Sequence, residues 1–62
     1  MPIVRIEMWE GRSDAVKEEL IRKVSKAVSE TVGAPIEHIQ VVIFDVPKKH
    51  WGIGGVPSTK LD

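Results

Sequence analysis

Apolar and polar residues alternate from Pro2 to Trp9. Pro2, Val4, Ile6 and Met8 fall on one side; Ile3, Arg5, Glu7 and Trp9 fall on the other. A period of two is the mark of a strand, and the apolar first face calls for a helix to pack against it. The second face is mixed and suits solvent or another subunit. Glu10-Gly11-Arg12 reads as a turn. From Asp14 the period lengthens to that of a helix: Val16, Leu20, Val24, Ala27, Val28 and Thr31 share one stripe, with Ile21 beside it. Ser13 is suited to cap this helix, since its hydroxyl accepts from an orphan first-turn amide. Asp14 adds negative charge where the helix dipole favours it. Glu18 with Arg22, and Glu19 with Lys23, predict ion pairs on a solvated outer face. The helix should end near Val32, with Gly33 as the residue that leaves it and Pro35 barring continuation. Ile36-Glu37-His38 predicts a tight turn. Ile39 to Val46 is almost continuously apolar, as a strand covered on both faces should be, with Phe44, like Met8, expected in the core.

Strand, helix, strand is a βαβ unit, and the rules of chain handedness predict parallel strands joined by a right-handed crossover. The expected class is α+β, with residues 1–62 forming a single domain. The tail from Pro47 to Pro57 carries Gly52, Gly54 and Gly55, which permit tight turns. It predicts a short hairpin or arm laid across a neighbouring subunit. A two-stranded sheet is too small to stand alone. A chain of 62 residues buries only about 60% of its unfolded surface. There is no cysteine to staple it. Yet 42% of its residues are hydrophobic, so the missing core is expected from oligomerisation.

Charge and composition narrow the function. Nine basic residues balance nine acidic ones, which argues against a nucleic-acid partner and against a polybasic membrane anchor. No apolar run reaches the ~18 residues of a membrane span, and the amino end lacks a signal-like stretch, so the expected location is cytoplasmic. His38 and His50 have no metal-ligand spacing. Gly52-x-Gly54 is no nucleotide fingerprint, because neither a strand leads into it nor a helix follows.

The candidate chemistry begins at Pro2. A proline cannot donate to a sheet ladder and is tolerated at the head of a strand. Methionine is commonly trimmed before a small residue, and removal of Met1 leaves Pro2 as a secondary amine fixed on a rigid element. Such a group is a positioned base or nucleophile.

Pro2-Ile3-Val4, then Glu10-Gly11-Arg12-Ser13-Asp14, Lys17 and Leu20-Ile21, and finally His50-Trp51-Gly52-Ile53-Gly54-Gly55 resemble the 4-oxalocrotonate tautomerase family over essentially the whole chain. The resemblance implies a βαβ protomer that dimerises into a four-stranded sheet, with three dimers forming a hexamer. It implies a cofactor-free keto–enol tautomerase acting on a small carboxylate. The family's amino-terminal proline, the general base, corresponds to Pro2. Its carboxylate-binding arginine corresponds to Arg12, and its aromatic residue near the proline to Trp51, where phenylalanine is common. A second family arginine, at the start of the second strand, is Gln40 here. Glutamine donates a hydrogen bond but brings no charge, which disfavours a dicarboxylate. Arg5, Lys48 and Lys49 are candidates to replace that charge.

These residue types suit the chemistry. A base works best with a pKa near the operating pH; an apolar wall of Trp51 and Ile53, and a cation at Arg12, both disfavour protonated proline. The arginine fork fits a planar carboxylate. Two other readings compete. One is a superfamily dehalogenase, hydratase or decarboxylase using protonated Pro2 as an acid, with Glu7, Glu10 or Asp45 activating water. The other is a non-enzymatic oligomer with a degraded pocket.

Overall fold

The computed structural model describes residues 1–61. Strand β1 (Ile3–Trp9) and strand β2 (Gln40–Val46) lie parallel, joined by helix α1 (Asp14–Val32). The register runs without a slip from Ile3 opposite Gln40 to Trp9 opposite Val46. Backbone bonds extend the pairing beyond each end: the Gln40 N–H donates to the Pro2 carbonyl at 3.1 Å, and the Glu10 N–H donates to the Val46 carbonyl at 3.0 Å. Pro2 spends its carbonyl here and needs no N–H. The alternation in β1 has the predicted phase. Pro2, Val4, Ile6 and Met8 are half-buried, while Ile3, Arg5 and Glu7 are exposed.

The caps of α1 follow the sequence. The Ser13 hydroxyl accepts from the Val16 N–H at 3.3 Å. Gly33 takes a left-handed φ of 77°, and its N–H donates to the Ser29 carbonyl at 3.0 Å. The Ser29 hydroxyl donates to the Ala34 carbonyl at 2.6 Å, fixing the exit from the helix.

The inner stripe differs from the prediction at its start and at its edges. Leu20, Val24 and Val28 are half-buried, but Val16 is 51% exposed, and Ala27 and Thr31 are also exposed. Lys17 takes the inward place instead and pairs with Asp45 on β2. That hydrogen bond to the carboxylate raises the lysine pKa above its ordinary value. On the outer face Arg22 pairs with Glu19 rather than Glu18. Glu19 also lies 3.7 Å from Lys23, the predicted pair. One carboxylate thus serves both cations, three and four residues on, which pulls its pKa down, chiefly through Arg22.

β2 begins at Gln40, one residue later than expected, because Ile39 closes the 3-10 turn Ile36–His38. Phe44 is not in the protomer's core: it is 43% exposed, beside Val42 at 41% and Ile3 at 58%. Alternation turns Gln40, Val42 and Phe44 away from α1, and one helix covers only one face of a two-stranded sheet.

After β2 the chain forms a 3-10 turn (Lys48–His50) and then the antiparallel pair β3 (Gly52–Ile53) and β4 (Val56–Pro57). Gly54 and Gly55 both have positive φ, 60° and 83°, as a two-residue type I′ hairpin turn demands. Ser58 locks the arm to itself: its hydroxyl donates to the Lys48 carbonyl at 2.6 Å, and its N–H donates to the Trp51 carbonyl at 2.7 Å. The arm makes the protomer long, 42 × 24 × 15 Å, with a radius of gyration of 14.5 Å. A compact chain of this length would have about 11 Å. Among the described residues no hydrophobic side chain is fully buried. The protomer is a half-covered sheet with an extended arm.

Candidate active site

The four residues singled out by sequence fall at the two ends of the β1–β2 pair. Pro2 and Gln40 meet at the amino end. They are joined by the backbone bond described above, and the Gln40 side-chain amide reaches the first residue, donating to the Met1 sulfur at 3.3 Å. Gln40 stands on the exposed face because β2 starts there with an outward residue. Arg5 is the next outward residue along β1, opposite Val42.

Arg12 and Trp51 meet at the other end. β1 spans seven residues, so the two ends are separated by about 20 Å at the ordinary strand rise. Arg12 follows the turn after β1, and its guanidinium Nη1 donates back to the Trp9 carbonyl at 3.2 Å. Trp51 follows the 3-10 turn after β2, and its ring meets Trp9 edge to face, with centroids 6.3 Å apart and planes at 81°. Glu7, Met8, Trp9, Arg12 and Trp51 line a shallow depression of about 250 Å³. A second of about 250 Å³ adjoins it, lined by Glu7, Val46, His50, Trp51 and Gly52.

Three further residues gather at this end: Trp9, which the sequence did not single out, and Lys48 and Glu7, which it offered as a substitute cation and as a water-activating carboxylate. Trp9 forms the wall of the pocket. Lys48 places its ammonium 4.7 Å from the centroid of the Trp9 ring, a cation–π contact. Glu7 borders both depressions. The signal for Trp9 was available: it is one of two tryptophans in the chain and directly precedes the Glu-Gly-Arg turn. Of the cations considered as substitutes for a second arginine, Lys48 is thus at the Trp9 end, and Lys49 lines the neighbouring surface with Glu10, Gly11 and Thr59. Asp45, a candidate for activating water, is engaged by Lys17.

Chemically, the amino end offers a nitrogen that becomes basic once Met1 is removed, and a neutral hydrogen-bond donor. The other end offers a planar cation, a second cation and two indoles, a combination that fits an unsaturated carboxylate. Among the described residues no cluster of histidine and carboxylate side chains is gathered to hold a metal ion, and no helix is long and apolar enough to cross a membrane.

Known proteins match this chain throughout its length. The family model for the tautomerase enzymes matches residues 2–61. The chain is 53% identical over 62 residues to a 2-hydroxymuconate tautomerase of Pseudomonas putida, covering 100% of this chain and 98% of that one. Among solved structures, it superposes on a 4-oxalocrotonate tautomerase isozyme of Methylibium petroleiphilum with a TM-score of 0.90 and 48% identity, covering 97% of each chain. A heterohexamer 4-oxalocrotonate tautomerase of Chloroflexus aurantiacus gives a TM-score of 0.92 at 37% identity, with 100% of both chains covered. The parallel βαβ fold with its terminal hairpin and the activity of a keto–enol tautomerase agree with these matches, and the chain belongs to the tautomerase family of enzymes.

Proposed function

We propose that the protein tautomerises a small enol acid, 2-hydroxymuconate or a similar 2-hydroxy-dienoate, at a site shared between protomers. Pro2 of one protomer, freed by removal of Met1, faces Arg12 and Trp51 of another. Neutral Pro2 takes the proton from the enol hydroxyl. The electrons shift through the conjugated system as the carbonyl forms, and the prolinium returns the proton to carbon. The net change moves one hydrogen and needs no cofactor. Arg12 holds the carboxylate through two parallel hydrogen bonds, Gln40 donates to the oxygen that becomes the carbonyl, and Trp51 keeps water from the amine.

The observation that carries this reading is the separation of Pro2 from Arg12 along one strand, about 20 Å, in a chain whose relatives of similar length are named 2-hydroxymuconate tautomerases. A single protomer cannot bring both groups to one small molecule. The bare sheet face of Ile3, Val42 and Phe44 and the projecting arm support assembly through dimers, with a hexamer as the complete form. Glu7, beside Arg12 and Trp51, is the carboxylate that a hydratase reading would use.

The test is a tautomerase assay on 2-hydroxymuconate and phenylenolpyruvate with protein shown by intact mass to begin at Pro2, combined with sedimentation. A hexamer that turns over enol acids without adding water is the expected result. A folded, inactive monomer contradicts the reading, and a hydrated product transfers the role of Glu7 to catalysis.

A further inference from the structure

Trp9 is not accounted for by folding alone. Its indole N–H is shielded and, among the described residues, has no hydrogen-bond partner, whereas a tryptophan placed for structure usually spends that donor. Its backbone carbonyl accepts from the Arg12 guanidinium at 3.2 Å, so the fork is anchored on the main chain of the residue that carries the indole. Trp51 meets it edge to face. Lys48 lies over its ring at 4.7 Å.

We propose that Trp9 is the specificity-determining residue of this site. It packs against the planar body of the enol acid whose carboxylate Arg12 binds, and it favours an aryl group over a second carboxylate at the far end of that body. This deepens the tautomerase reading and rests on it for the place of Arg12. The physical difficulty with such a contact is the indole quadrupole: its faces are negative and repel an anion or an electron-rich enol. Lys48 offsets that repulsion, because its charge stands over the same ring. With Gln40 in place of a second arginine, positive charge is concentrated at Arg12 and Lys48. One carboxylate and one flat apolar group match that layout. A second carboxylate is met by a neutral amide.

Two measurements test the proposal. The first is kcat/KM for phenylenolpyruvate and for 2-hydroxymuconate in the wild type, Trp9→Leu, Trp9→Phe and Lys48→Met, all verified to begin at Pro2. Trp9→Leu should lower the aryl substrate about five- to tenfold more than the dicarboxylate, the scale of an aromatic contact beyond its area. Trp9→Phe should restore most of that difference. Lys48→Met should cost the aryl substrate about two- to fivefold selectively. The second is fluorescence of Trp51→Phe, in which Trp9 is the remaining indole. Cinnamate should quench it saturably, and hexanedioate should not. If both substrates fall by one common factor and cinnamate leaves the fluorescence unchanged, Trp9 is a packing wall and the proposal is overturned. If Trp9→Leu fails to assemble, Trp9→Phe and Lys48→Met decide by the same ratio. Saturable quenching in a protein that turns over neither substrate would support Trp9 as the binding surface while rejecting the tautomerase reading.

Discussion

At the amino end of the β1–β2 pair the chain presents Pro2 and the Gln40 amide; at the other end, about 20 Å away, it presents Arg12, Lys48 and two indoles. In the proposed mechanism the first end supplies the base, Pro2, with almost no charge beside it. The second supplies the charge and the flat apolar surface that select and orient an acid. On that reading neither end of one protomer is a complete site. The parallel register fixes this division, because β1 and β2 start together and finish together, leaving Pro2 next to Gln40 and Trp9 next to the chain that leads into Trp51. The same geometry leaves the described residues without a fully buried hydrophobic side chain. In the proposed oligomer, assembly serves stability and chemistry at once: the contacts that cover Ile3, Val42 and Phe44 also bring one protomer's amino end to another's Arg12.

The largest effect should come from removing the base. A chain that retains Met1 has an amide at Pro2, and its kcat should fall by at least the ~10²–10⁴-fold of a general acid–base step. Intact mass must show that no trimmed chain is present, since a trace would dominate the rate. Activity of the Met1-retaining protein equal to that of the trimmed protein would remove Pro2 from the mechanism.

Arg12→Ala should come next. Losing the charge-assisted partner of the carboxylate should cost about 2–4 kcal/mol in kcat/KM. The circular dichroism spectrum should be unchanged, because Arg12 is exposed and outside the helix stripe. Unchanged kinetics would return Arg12 to an ordinary surface cation.

Gln40→Arg makes the two ends more alike. An added cation beside Pro2 should raise kcat/KM for a dicarboxylate about fivefold more than for a monocarboxylate, since a charged hydrogen bond exceeds a neutral one by about 1 kcal/mol. It should also move the acidic limb of the profile to lower pH, because a cation opposes protonation of proline. Equal responses from both substrates with no movement of the limb would place Gln40 outside the site.

The smallest effect concerns the pair that ties α1 to the sheet. Lys17 has a raised pKa through its hydrogen bond to Asp45. Its contribution to stability is thus complete below the unfolded lysine value of ~10.4 and is lost as pH rises through the folded value. The side chains are partly exposed, so the contribution is small. Thermal unfolding of Lys17→Met should show a slightly lower Tm at neutral pH and a gap to wild type that closes at strongly alkaline pH. A gap that persists there would assign the loss to packing of the lysine stem.

The sequence announced the elements because their signals are local. Alternation, the Ser13 cap, Gly33 and the Gly54-Gly55 turn each act within a few residues, and β1, α1 and the hairpin lie where these signals place them, while β2 starts one residue later than its apolar run. Lys17 was harder to foresee because its partner Asp45 is far along the chain, and a lysine on a helix gives no sign that it points inward. Phe44 was misplaced because an apolar run does not say which of its two faces is covered within the protomer. At the candidate site, Pro2 stood out by its place at the head of a strand, while its assignment as the base, like Arg12, Gln40 and Trp51, came from resemblance. Lys48 was one of three cations offered from the sequence, and its place, like the part played by Trp9, emerged only when the fold brought Lys48 over the Trp9 ring.

The shared site is tested most directly by subunit mixing. Pro2→Leu carries a bulky second residue that keeps Met1 in place, so it lacks the base but retains Arg12. Arg12→Ala retains Pro2. Each alone should be close to inactive. Unfolded together in equal amounts and refolded, they should regain about a quarter of the wild-type sites in randomly mixed, symmetric oligomers, because each such site takes Pro2 from one variant and Arg12 from the other. Activity of the mixture equal to the mean of the two variants, in oligomers shown by native mass to contain both chains, would contradict a site built from two protomers.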